Sequence, residues 1–284
     1  MKGGPARLLF FWDYDTQWGA DRSRGPGGPK GWGDLEFRNT EELLEIHARY
    51  ALPACFAVVG SAALPGDRPY HDPAQIRTLH DAGHEVASHS HRHEWLPALH
   101  GDALVETLRA SRDALEQCTG GEVRTFVPPF NQPFDFPGGW SFSYSERREV
   151  RSGRTDLAGL CRALVATGYD FCRVAYEPLL RKVLNAARVS RQPRPGSVER
   201  IAELSCVRMN TPGGFGAGTR ALLARGIAQG GLWTVYGHPH SLSDAGSNQH
   251  RTELLALLDQ VREWRSRGLV ECILPRDLYR KESR

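Results

Sequence analysis

With 284 residues, 40% hydrophobic and 24% charged, the chain is long enough for an independent core. That composition excludes collagen, a largely disordered polymer and a small disulfide scaffold. A formal charge of +3, from 36 Lys and Arg against 33 Asp and Glu, supplies no strong overall field for nucleic acid.

The apolar run at 8–12 stops at Asp13, Asp15 and Thr16, as a buried strand emptying into a loop does. It is too short for a signal sequence, and no stretch reaches the roughly 18 apolar residues of a spanning helix, so a cytoplasmic protein without a membrane span is expected. The stretch 16–39, rich in Gly, Arg and Pro, reads as an irregular surface excursion. Asn39 or Thr40 caps a predicted helix over 41–50 with Leu43, Leu44 and Ile46 on its apolar face, and Pro53 separates it from a strand at 54–60. Asp72 and Pro73 start a helix that Gly83 stops, 85–87 leads into a histidine cluster, and a helix over 102–118 precedes a strand at 123–127. Further on come a helix at 157–167, a strand at 169–175, one strand over 201–208, a helix at 217–229, a strand at 232–236, a helix at 249–267 and a strand at 269–274.

This alternation predicts a parallel sheet covered by helices, closed as a barrel or doubly wound. Either architecture places ligands at the carboxyl ends of strands, where Asp13, Asp15, His89 and His238 fall. The stretch 132–154 breaks the pattern. Phe134, Phe136, Trp140, Phe142 and Tyr144 precede Arg147, Arg148, Arg151 and Arg154, which suits a substrate-covering loop or a surface elaboration. The six cysteines are scattered and read as reduced core residues.

The most informative local feature is His89-Ser90-His91-Arg92-His93. On one helical turn His89 and His93 face the same way and can hold one ion, while His91 points elsewhere, although such a pair is as readily a structural one. If Asp15 joins them, a two-histidine, one-carboxylate set results that suits zinc and would also accept iron, cobalt, nickel or manganese. Asp13 is then free to take the proton of an attacking water, unless one of the two aspartates merely caps a loop or pairs with Arg7. His238 is the first polar side chain after the strand at 232–236 and could protonate a leaving group, with His240 as the fallback. No phosphate-binding glycine loop and no nucleophile elbow is present.

The order of these motifs resembles the polysaccharide deacetylase superfamily, the NodB-homology domain of carbohydrate esterase family four. Phe11-Trp12-Asp13-Tyr14-Asp15 is similar to its first motif; Gly83-His84-Glu85 with His89, Ser90 and His93 matches the second; Arg124-Thr125-Phe126-Val127-Pro128-Pro129-Phe130 resembles the third; and Tyr236-Gly237-His238 resembles the fifth. The fourth has no clean match. In the third motif Val127 stands where the family has a second arginine, so the usual partner of the catalytic aspartate is missing or supplied from elsewhere, and Asn131 stands where many members have glycine.

The resemblance implies a distorted (β/α)7 barrel spanning 1–284 as one catalytic domain, with the aromatic and arginine-rich insertion at about 132–156. It implies a divalent metal, Zn2+ first and Co2+, Ni2+, Fe2+ or Mn2+ otherwise, on Asp15, His89 and His93. Asp13 is the implied base and His238 the implied acid, with Arg124, Pro129, Phe130, Asn131, Trp140 and His240 as support or substrate contacts. The implied reaction is hydrolysis of an N-acyl, usually N-acetyl, amide on an amino sugar or sugar-containing precursor, with the insertion arginines suiting a phosphate or nucleotide handle. The alternatives are an amidase or deformylase on a non-sugar substrate, and a non-catalytic carbohydrate-binding member of the fold.

Overall fold

The computed structural model describes residues 4–23, 31–133, 141–142, 152–153, 155–176 and 193–279. Strand β1 (Ala6–Tyr14) is the axis of the fold. Along one edge it pairs in parallel with β10 (Leu232–Gly237); along the other it pairs first with β11 (Val270–Ile273) and then with β2 (Cys55–Val58). From β2 the sheet continues in parallel through β3 (Glu85–Ser88), β4 (Thr125–Phe126) and β7 (Phe171–Val174) to β9 (Leu204–Arg208), and ends on antiparallel β8 (Val198–Ile201). Strands β5 (Ser141–Phe142) and β6 (Ser152–Gly153) form a separate antiparallel pair.

No ladder joins β9 to β10 among the described residues. Instead Asn210, just past β9, accepts the Thr234 N–H at 3.0 Å and donates to Leu232 O at 2.9 Å, so a side-chain amide does what a strand edge would do. The result is the expected α/β architecture, a curled open sheet flanked by helices that matches a distorted NodB-like barrel. Strand alternation sorts the side chains. Leu9, Phe11, Val127, Phe171 and Val207 fill the inner cluster, while Leu8, Phe10, Trp12, Cys172 and Cys206 pack outward under the helices. The inward series Leu9, Phe11 continues to Asp13, which is how a carboxylate comes to stand at the barrel mouth.

The structure departs from three expectations. The stretch 16–39 is not an irregular excursion: it contains α1 (Thr16–Ser23) and most of the first half of α2 (Trp32–Tyr50). Asn39 and Thr40 do not cap a helix; they lie inside α2 and are buried. The misreading has a physical cause, because α2 turns Glu36, Asn39 and Thr40 toward the protein and so hides a polar inner face that looks like surface in sequence. The stretch 201–208 is also not one strand but the β8–β9 hairpin, turned at Ala202 and Glu203, both at positive φ. The other helices follow the sequence reading: α3 (Pro73–Asp81), capped by Asp72 on the Gln75 N–H, α4 (Gly101–Thr119), α5 (Leu157–Ala166), α6 (Ala217–Gly226) and α7 (Arg251–Ser266), with the short α8 (Arg276–Tyr279) closing the described chain. The six cysteines are free, and no described helix is long and apolar enough to cross a membrane.

The core beneath α2 contains a histidine with a measurable signature. His47 Nε2 accepts the Trp12 indole N–H at 2.9 Å while Nδ1 meets Leu52 O at 2.9 Å, an arrangement open only to the neutral ring. Burial first, then neighbouring His84, pushes its pKa down to about 3. Above pH 6.5 the ring is neutral folded or unfolded; below it the unfolded chain takes up a proton that the native ring refuses, so stability is lost as pH falls from 6.5 toward 3. His47→Gln keeps an acceptor and a donor but cannot titrate. The stability gap between wild type and this variant, measured by urea unfolding, should therefore shrink by about 2 kcal/mol from pH 7 to pH 5; parallel pH profiles would show that His47 is not the group responsible.

Candidate metal centre and active site

Asp15 leaves the end of β1, and His89 follows β3. His93 arrives on a loop rather than the expected helical turn, because Ser90 and His93 both have positive φ and the segment 89–94 is irregular. The bent loop still converges: His89 Nε2 lies 3.3 Å and His93 Nε2 3.5 Å from Asp15 Oδ1. His89 Nδ1 meets Val127 O at 2.7 Å, which places the ring proton there and turns the Nε2 lone pair toward Asp15. The His93 ring is braced edge-on against Phe130 at 4.4 Å.

These three buried residues are the only cluster of metal-ligand type among the described residues. Asp15 Oδ1 is buried without a hydrogen-bond partner. Tetrahedral zinc with bonds of about 2.0–2.1 Å sets neighbouring ligand atoms roughly 3.3 Å apart, close to the spacings found. Burial would raise the Asp15 carboxyl, but His93 and His89 outweigh it and hold the group well below the usual carboxylate range. Burial pushes His93 down, toward the neutral form that a metal needs. The donor set therefore fits a divalent cation. Helix α1 approaches closely here, since a Cβ on Gly19 would stand 2.5 Å from Asp15 Cβ; only glycine fits that position without moving the ligand.

Asp13 stands beside this set with a partner that the motifs did not reveal. Arg173, on β7 and only 1% exposed, donates from two nitrogens to the two Asp13 oxygens at 2.8 and 2.7 Å. Its guanidinium also lies over the Phe11 and Tyr236 rings. The register pairs Phe126 with Cys172, so the next step along β4 and β7 sets Val127 opposite Arg173. Arg173 thus supplies, from the strand beside β4, the Asp13 partner that Val127 cannot provide. Burial raises Asp13, but Arg173 first and then His89 and His238 override it, and the carboxyl stays ionised below its ordinary pKa. An arginine inside a four-residue buried strand, Phe-Cys-Arg-Val, was the available signal.

His238 lies across the mouth with Nε2 4.0 Å from Asp13 Oδ2. Gln249 Oε1 accepts the His238 backbone N–H at 2.6 Å and lies 3.2 Å from Nδ1. Since the backbone bond fixes the amide orientation, the Nδ1 proton points at Gln249, leaving Nε2 toward Asp13. His240 lies deeper, stacked on Trp32 at 4.0 Å, with Nδ1 3.7 Å from Glu36 Oε2. Trp32, Leu35, His238, His240 and Asp15 line a cavity of about 630 Å³ that opens beside the ligand set, its outer wall carrying Ser241, Ser243, Asp244 and Ser247.

The remaining expected contacts divide. Phe130 braces His93, Pro129 is buried in the same turn, and Asn131 Oδ1 accepts from Arg173 at 3.4 Å. Arg124 lies at the opposite end of β4, paired with Glu122 at 3.0 Å and near Asp170, away from the ligand set. Trp140 lies outside the described residues. Of the eight non-glycine residues at positive φ among the described residues, Thr16, Ser90, His93, Phe130 and Asn131 border this site, a concentration of backbone strain where side chains must be aimed. Glu36 is a second residue that sequence reading missed: fully buried, it accepts the Asp15 and Thr16 N–H groups. Burial first, then the nearby Asp15 charge, drives its pKa well above the usual range.

Fold and site together define a metal-dependent hydrolase. A family model described as Polysaccharide deacetylase matches residues 30–134, from the start of α2 through both histidines to the loop after β4. Comparison with curated proteins gives no match. Among solved structures, a candidate polysaccharide deacetylase from Mycobacterium smegmatis is 17% identical with a TM-score of 0.60, covering 92% of this chain and 88% of that one. A CE4 family pseudoenzyme from Bacillus anthracis is 13% identical with a TM-score of 0.52, covering 98% and 66%. A peptidoglycan N-acetylglucosamine deacetylase is also 13% identical, with a TM-score of 0.51 and coverage of 97% and 89%. At these identities the structures show a shared fold, and the family model shows that the stretch 30–134 is similar to polysaccharide deacetylases.

Proposed function

We propose that the protein hydrolyses an N-acetyl or other N-acyl amide on an amino sugar or a sugar-bearing precursor. The observation that carries this reading is the joint presence, in one mouth, of the Asp15, His89 and His93 ligand atoms and an Asp13 carboxylate held ionised by Arg173. A divalent cation on the three ligands, zinc first, would supply Lewis acidity that polarises the amide carbonyl and acidifies water. Asp13 accepts the proton of the attacking water, and Arg173 keeps that carboxylate charged and aimed. His238, in its doubly protonated form with Nδ1–H held on Gln249, gives its Nε2 proton to the departing amine and is left as the neutral Nδ1–H ring.

The chain is read as one catalytic domain, because β11 near its end pairs with the first residues of β1. A phosphate or nucleotide handle on the substrate rests on Arg147, Arg148, Arg151 and Arg154, which lie outside the described residues. The test is metal analysis of the purified protein together with an acetate and formate release screen over amino-sugar nucleotides, small N-acetyl glycosides and simple amides. Stoichiometric metal with acetate released from amino sugars alone is the expected result. Formate, or ammonia from a simple amide, would transfer the reading to a non-sugar amidase, and a protein that holds metal and turns over nothing would make it a binding member of the fold.

A further inference from the structure

We propose that Glu36 is a positioning residue for the metal ligand Asp15, acting through the backbone turn that carries it; this rests on the metal-site reading above. Its Oε2 accepts the N–H of Asp15 at 3.1 Å and of Thr16 at 2.7 Å, so one carboxylate oxygen gathers two successive donors. Thr16 is β-branched yet sits at φ +56, an unfavourable conformation for such a residue that persists only where the surroundings impose it. The turn ends β1 and begins α1. Released, the chain would relax from that turn, and Asp15 Oδ1 would leave its place 3.3 and 3.5 Å from the two histidines.

Stability alone does not account for this residue. Glu36 is fully buried, and its Oε1 has no hydrogen-bond partner in the structure, an arrangement that costs folding free energy. The residue comes from the buried polar face of α2, where Asn39 donates to Pro239 O at 2.8 Å and accepts Ser243 Oγ at 2.9 Å. One helix therefore grips both the exit of β1, with its metal ligand, and the loop following His238.

The test is zinc binding to the metal-free full chain, by calorimetry with a competing chelator, for wild type, Glu36→Ala, Glu36→Gln and Glu36→Asp. Loss of an outer hydrogen-bonding partner of a ligand typically weakens binding 10–100-fold, and that loss is expected for Ala and for Asp, which is one methylene too short. Gln, whose amide oxygen still accepts both N–H groups, should bind close to wild type. Melting temperatures of the metal-free proteins separate positioning from simple support: lower melting of the Ala and Asp variants with unchanged zinc affinity would overturn the proposal. Should Glu36→Ala not fold, the contrast between Asp and Gln decides alone. A wild-type protein that binds no zinc would instead defeat the metal-site reading itself.

Discussion

Replacing Arg173 with methionine should remove most of the activity and destabilise the protein, while the exchange Val127→Arg with Arg173→Val should restore a large part of both. The single change leaves the Asp13 carboxylate buried with neither of its guanidinium bonds. Stranding one partner of a buried pair costs about 3–5 kcal/mol, unless the carboxyl takes up a proton and ceases to be a base. Either outcome removes general-base catalysis, a loss on the order of 10²- to 10⁴-fold in kcat. The paired exchange returns an arginine to the barrel interior from the strand beside β7, at the position opposite the vacated one. Turnover and thermal melting of the single and double variants check this. A double variant no better than Arg173→Met would show that the guanidinium works only from β7 and that the two positions are not interchangeable.

The exchange also shows what a linear motif can and cannot carry. His89, Ser90 and His93 are close in sequence and were legible at once, even though the geometry behind them is a bent loop and not a helical turn. Asp13 and Asp15 were legible because strand alternation sends the first inward and the turn after β1 presents the second. Arg173 was not, because it meets Asp13 from 160 residues away, and only the β4–β7 register says which position faces which. Glu36 was hidden for a different reason. A glutamate among polar residues at the start of a helix looks solvated, and its burial depends on α2 lying across the exit of β1. Likewise His238 could be read from its place after a strand, but the ring orientation that aims Nε2 into the mouth depends on Gln249, which holds Nδ1–H and which no local pattern marks.

Asp13→Asn should keep the metal and abolish turnover. The metal-ligand set comprises Asp15, His89 and His93, so the cation content of the purified variant should match wild type. The amide cannot accept a proton from water, and kcat should fall by about 10²–10⁴-fold with substrate binding little changed. The change also sets an amide N–H₂ against one of the two Arg173 donors, so some loss of melting temperature is expected and must be separated from the catalytic effect by assaying well below the transition. The two readouts fail in different directions. Metal lost along with activity would place Asp13 among the ligands, whereas surviving turnover would strip it of the base role. Glu36 would then be the next carboxylate to substitute, since it is the buried acid whose Oε2 lies nearest the Asp15 backbone and His240.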